Sequence, residues 1–137
     1  MQRLRRPLQY ALALLMISGG VMHFVVPAFY VALVPPFLPV PFALVIASGV
    51  VEIAVGVMLV IPAVSRWGAW GIIATLIAVY PANIYHAVSG GLDHPDLPAA
   101  MSSAAIAWGR LPLQLVLIAW AYWYTRPVAA GVTDSGR

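Results

Sequence analysis

Four long apolar runs constrain this chain more than any other feature, because each is long enough to cross a lipid bilayer. They cover about residues 8–26, 42–61, 66–87 and 104–125, and a helix needs about 20 residues to cross the hydrocarbon layer. The chain is 63% hydrophobic and 8% charged, whereas soluble proteins are about 25% charged. The sequence therefore predicts an all-α fold, an integral membrane four-helix bundle that forms one domain over residues 1–137.

The arginines indicate how these helices are oriented. Three stand before the first run, one stands in the short turn after the second, and two follow the fourth: Arg3, Arg5, Arg6, Arg66, Arg126 and Arg137. Arginines concentrate on the cytoplasmic side of a membrane protein, so we expect both termini there. On this topology residues 127–137 form a cytoplasmic tail and residues 88–103 an outer loop. This distribution does not predict nucleic-acid binding.

Residues 27–41 separate the first run from the second and are rich in proline. Proline lacks the backbone N–H that continues a helix, and five of them occur here: Pro27, Pro35, Pro36, Pro39 and Pro41. The surrounding residues are apolar, and irregular backbone at membrane depth must be covered by protein. We therefore expect an interfacial or re-entrant segment of irregular backbone against the outer mouth of the bundle.

Among the polar and ionisable side chains within the runs or near their ends, seven form the predicted site; such groups are costly there and usually functional. Spacings of three residues in the third run and four in the fourth keep the members of each helix on one side. The only acid in any run stands near the middle of the second. We predict that all seven line one ligand-binding cavity in the outer half: His23, Glu52, Tyr80, Asn83, His86, Arg110 and Gln114.

Arg110 is the one arginine on the outer side of this topology and lies inside a run, so it needs a partner. An isolated charge there costs about 2.5–3.5 kcal/mol, so we expect Arg110 to pair with Glu52. Pro81 cannot donate to the carbonyl of Ile77, and it therefore predicts a bent helix with a free acceptor beside the polar layer. The alternative is that the polar groups form a closed network whose only role is to fix helix register.

Two sets of residues have metal-ligand side chains: His23, His86 and Glu52 in the runs, and Asp93, His94 and Asp96 in the outer loop. We predict a metal at neither, because the histidines lack ligands at helical spacing and Gly/Pro/Asp loops are usually turns. The chain has no cysteine, which excludes disulfides and thiolate redox centres. It shows no dinucleotide-binding motif either, so we expect no intrinsic cofactor.

Five short motifs follow one another in a set order: GVMHF at residues 20–24, VPPFLP at 34–39, SGVVE at 48–52, PANIY at 81–85 and RLPLQ at 110–114. Together they resemble the DoxX family of small bacterial membrane proteins. The resemblance implies a four-helix protein of the bacterial cytoplasmic (inner) membrane. Members look like subunits or accessories of membrane redox systems, the name-giving case being a thiosulfate:quinone oxidoreductase, and distant relatives include a eukaryotic receptor-assembly chaperone.

We expect the cavity to bind a small amphipathic, lipid-soluble molecule, with a quinone as the first candidate. Quinone carbonyl oxygens suit arginine, asparagine and histidine donors, while the tail would lie in the bilayer. Because the chain has no electron carrier of its own, a role as an accessory of a redox system requires a membrane or periplasmic protein partner. No catalytic residue is predicted. The alternative is a non-catalytic assembly subunit or chaperone of a larger membrane complex, which predicts a filled, dry core.

Overall fold

The computed structural model describes residues 2–90 and 103–126, and the regular structure within these ranges is helical. The helices in chain order are α1 (Gln2–Val25), α2 (Pro27–Leu33), α3 (Pro41–Val60), α4 (Ser65–Val88) and α5 (Ala104–Thr125). Four of them, α1, α3, α4 and α5, are long and apolar enough to span a membrane. The all-α prediction is confirmed, and so are four helices suited to crossing a bilayer.

The long helices pack in the order α1, α3, α4, α5. Helices α1 and α5, the first and last of this order, are joined at one end of the bundle. There a guanidinium nitrogen of Arg5 donates to the Arg126 carbonyl at 2.9 Å. Beside it the Tyr124 hydroxyl donates to the Arg5 carbonyl at 2.8 Å. The start of α1 and the end of α5 therefore lie together, at what we name the basic end.

Glycines allow the long helices to approach closely. A Cβ atom built on Gly20 of α1 would lie 2.7 Å from the carbonyl oxygen of Gly49 in α3. At the start of α4, a Cβ atom on Gly68 would lie 2.5 Å from the backbone nitrogen of Leu59. Both distances are shorter than any normal contact, so only glycine permits this packing. Towards the basic end the space is filled by a buried cluster that includes Leu12, Met16, Leu59, Ala69, Ile72, Ala121 and Tyr124.

The proline-rich segment differs from our prediction of irregular backbone, because its first half is helix α2. Pro27 stands in the first turn of α2, where its missing N–H costs no hydrogen bond, and the other four prolines follow the helix. Val40 has φ of 49° in the left-handed region, and α3 begins at the next residue. Since α2 contacts α1, α3 and α4, the segment does lie against the bundle.

Pro81 lies inside α4, which continues to Val88. The outer-loop residues considered as metal ligands, Asp93, His94 and Asp96, and the predicted tail of residues 127–137 lie outside the described residues.

Candidate functional site

Helix α2 brings side chains from three long helices together through its two aromatic residues. Phe29 is fully buried, and the guanidinium carbon of Arg110 lies 5.0 Å from the centre of its ring. His86 meets the same ring at 6.1 Å in an edge-to-face arrangement. Tyr30 stacks on His23, with the ring centres 3.8 Å apart. The end of the bundle covered by α2 therefore has an aromatic cluster next to its charged groups.

A cavity of about 500 Å³ lies beside this cluster and is lined by α2, the segment after it and all four long helices. Most of the lining is apolar, with leucine, valine, alanine and proline side chains. Seven residues supply polar side chains to it: His23, Tyr30, Ser48, Glu52, Asn83, Arg110 and Gln114. A mostly apolar pocket with a few convergent polar groups is typical of a small-molecule site.

His23 and Glu52 form the polar group on the α1/α3 side. His23 Nδ1 is 2.9 Å from the Gly19 carbonyl oxygen, which can only accept, so Nδ1 carries a hydrogen. Nε2 then lies 3.8 Å from a Glu52 carboxyl oxygen, with both side chains nearly buried. That separation is longer than a hydrogen bond, so the two groups face each other without one, and both line the cavity.

Asn83 and Gln114 form a second polar group on the α4/α5 side. The Asn83 side-chain amide donates to the Gln114 side-chain oxygen at 2.6 Å, and Gln114 donates to the backbone carbonyl of Leu76. Gln114 is itself buried. We expected Pro81 to leave the Ile77 carbonyl free as an acceptor. The carbonyl that Gln114 bonds is that of Leu76, the preceding residue. The two amides join α5 to α4 and fix the cavity wall beside Arg110.

The predicted ion pair between Glu52 and Arg110 is wrong. Within residues 2–90 and 103–126, the one carboxylate within 4.0 Å of a cationic side chain is Glu52, and its partner is His23. Arg110 lies over the Phe29 ring instead. The face of an aromatic ring carries partial negative charge, so it stabilises a guanidinium without using its N–H donors. Arg110 therefore keeps those donors for another acceptor.

Five of the seven residues predicted for the site line the cavity, and Tyr80 and His86 do not. Three residues are less than one helical turn, so Tyr80 and His86 lie about 60° to either side of Asn83. His86 is fully buried, and neither ring nitrogen has a hydrogen-bond partner among the residues described. In the same part of the chain, no three potential metal ligands come together.

Tyr30 and Ser48 are cavity residues that the sequence reasoning did not assign to the site. Burial, and to a smaller extent the Glu52 carboxylate, raises the pKa of the Tyr30 phenol above its ordinary value, and Arg110 opposes this. The phenol therefore stays protonated and can donate. The sequence feature that could have identified Tyr30 is its position. Phe29 and Tyr30 follow Pro27 and precede the other prolines, so they can continue a helix that begins at Pro27.

One protein family matches this chain over residues 12–125, and its description is "Domain of unknown function (DUF8561)". No curated protein and no solved structure matches the chain. The resemblance to the DoxX family is therefore wrong, because the family match is to DUF8561. The accessory role in a redox system, which that resemblance implied, loses its basis; the cavity and its chemistry do not depend on it.

Proposed function

The chain belongs to the DUF8561 family, and we propose that it binds a small amphipathic, lipid-soluble molecule in the cavity beside α2. The observation that carries this proposal is the position of Arg110, a cation that lines a mostly apolar cavity and rests on a ring face. A guanidinium has five N–H donors, and the partly buried Arg110 donates to no acceptor among residues 2–90 and 103–126. A ligand oxygen in the cavity could accept from those donors.

Polar side chains on two sides of the cavity favour a ligand with two oxygen atoms. On the α1/α3 side these are His23 and Glu52, and on the α4/α5 side they include Arg110 and Asn83. A quinone carries carbonyl oxygens on opposite edges of its ring, so we take it as the first candidate. Of the adjacent pairs of long helices, α1 and α5 contact each other least, and an apolar tail could pass between them into the bilayer. Binding alone is proposed, with no intrinsic cofactor and no catalytic residue.

We further propose that the protein is a multi-pass protein of a cytoplasmic membrane, with its basic end on the cytoplasmic side. The start of α1 and the end of α5 lie together at that end, and arginines favour the cytoplasmic face. The cavity would then open towards the outer leaflet.

The binding proposal is tested by titrating the purified protein in detergent with a short-chain benzoquinone and measuring the heat of binding. We expect saturable binding, and Arg110→Gln should weaken it by about tenfold to a hundredfold, because a hydrogen bond to a charged group contributes about 1.5–3 kcal/mol. Arg126→Gln removes the same charge at the opposite end of the bundle and should leave the affinity unchanged. Absence of saturable binding, or equal loss in both variants, would overturn the proposal.

A cavity-filling change separates ligand binding from the alternative of a purely structural polar layer. Ala82 lines the cavity, so Ala82→Leu should occupy space that the ligand needs and abolish binding. Ala54→Leu is the matched control, because Ala54 is exposed on α3 outside the cavity. An assembly subunit would instead retain a fixed membrane partner on purification, and neither substitution would alter the binding of a quinone.

A further inference from the structure

A second hollow lies at the basic end, on the opposite side of the core from the cavity. It has a volume of about 610 Å³, and its polar lining comes from α1, the start of α4 and the end of α5. These side chains are Arg5, Arg6, Gln9, Tyr10, Ser65 and Tyr124. We name this hollow the arginine groove; none of its residues belongs to the site described above.

Neighbouring groups hold Arg5 in place in this groove. Its guanidinium donates to the Arg126 carbonyl at 2.9 Å, and its guanidinium carbon lies 5.6 Å from the centre of the Tyr124 ring. Tyr124 in turn donates to the Arg5 carbonyl. A single bond to a carbonyl and a contact with a ring leave most of the guanidinium donors free. Arg5 is therefore a preorganised cation with donors to spare.

Gln9 links the groove wall of α1 to α3 and α4. The Gln9 side-chain nitrogen donates to the Leu59 carbonyl at 2.5 Å and to the Ser65 hydroxyl at 3.0 Å. Arg6 is exposed on the same helix. Across residues 2–90 and 103–126 the one acidic side chain is Glu52, which is paired with His23. Hence no carboxylate from the described part of the chain balances the two arginines, and an anion from outside would.

We propose that the arginine groove binds the phosphodiester headgroup of an anionic phospholipid. Guanidinium groups match the geometry of phosphate oxygens, and basic pockets between membrane helices attract anionic headgroups. The adjoining face of α1 suits an acyl chain. Tyr10 is 60% exposed at the groove and Leu14, one turn further along α1, is 67% exposed. This apolar strip favours a lipid over a free phosphate, which has no chain to place there.

The test uses the full chain in mixed micelles that contain phosphatidylglycerol and phosphatidylcholine, and native mass spectrometry measures which lipid stays bound. We expect one retained phosphatidylglycerol, with about tenfold or greater preference over phosphatidylcholine. Arg6→Gln should reduce that preference about tenfold, and Arg5→Gln should do so as well. Because Arg5 also joins α1 to α5, Arg6→Gln is the variant that decides if Arg5→Gln fails to fold.

Arg66→Gln is the matched control, because Arg66 is exposed at the start of α4 and does not line the groove. It removes one positive charge at the same end and should leave lipid retention within about twofold. Equal losses for Arg6→Gln and Arg66→Gln would reduce the effect to general surface charge and overturn the proposal. Inorganic phosphate that displaces the lipid at equal concentration would also overturn it, since the acyl chain would then contribute nothing.

Discussion

The two ends of the bundle use their polar side chains in different ways. At the basic end, Gln9 donates to the carbonyl of Leu59, and Arg5 donates to the carbonyl of Arg126. Leu59 lies in the last turn of α3 and Arg126 follows the end of α5. Carbonyls at helix ends lack helical partners and can accept such bonds. The polar groups of the basic end therefore join one helix to the next.

At the cavity end the corresponding groups lie further from free backbone acceptors. Arg110 rests on the ring of Phe29, and Glu52 lies opposite His23. Glu52 and Arg110 stand within helices, where most carbonyls are already bonded to the helix itself. Side chains there pair with each other, pack on rings, face a cavity or, as Gln114 does at the Leu76 carbonyl, bond an acceptor inside a neighbouring helix. The basic end is thus joined through helix ends, whereas the cavity end combines one such link with polar groups that line a cavity.

The largest effect we predict comes from removing the aromatic anchor of the cavity end. Phe29→Ala takes away a fully buried ring that contacts Arg110, His86 and Tyr30. Such truncations cost about 3–5 kcal/mol. The free energy of unfolding, measured by denaturant titration in detergent with circular dichroism, should fall by this amount.

Phe37→Ala is the control for this change, because Phe37 belongs to the same segment and is 78% exposed. It should alter stability by no more than about 0.5 kcal/mol. If the two variants are equally stable, α2 does not hold the cavity end together, and the two ends of the bundle do not differ in this way.

Gly68→Ala tests how tightly the basic end is packed. The added methyl group would lie 2.5 Å from the backbone nitrogen of Leu59 and 2.8 Å from the carbonyl carbon of Met58. Backbone atoms cannot turn aside, so α3 and α4 must separate, at a cost of about 1–3 kcal/mol. Ala74→Val, on an exposed position of α4, should change the thermal midpoint only slightly. A Gly68→Ala protein as stable as the parent would contradict close packing here.

Much of the fold could be predicted because the length of an apolar run depends on the local sequence alone. The four long helices were found in this way. Helix α1 begins at Gln2, several residues before the predicted run, because arginine favours helix and a helix can continue past the hydrocarbon layer. Helix α2 was not predicted because we considered how many prolines the segment contains and not where they stand. Four of the five prolines follow Leu33, the last residue of α2.

The site was harder to predict than the fold because helical spacing shows which residues share a face but not what they meet. The spacing placed Arg110 and Gln114 on one side of α5, and both line the cavity. The partner of Arg110 depends on α2, which we had expected to be irregular. We placed His86 in the site because it stands three residues after Asn83. Each three-residue step turns about 60° around the helix, and His86 contacts Phe29 instead of the cavity.

The smallest effect we predict is a gain in stability from Gly109→Ala, the same glycine-to-alanine change that should destabilise the protein at Gly68. Apart from the backbone of its own helix, a Cβ atom on Gly109 would meet no atom of residues 2–90 and 103–126 within 4 Å, although Gly109 lies inside α5 beside Arg110. Replacing an unhindered helical glycine by alanine stabilises a helix by about 0.5–1 kcal/mol. Gly109→Ala should therefore raise the midpoint of unfolding while leaving quinone affinity unchanged. If it destabilises the protein as Gly68→Ala does, this face of α5 is packed against another surface, and the contrast between a closed basic end and an open cavity end no longer holds there.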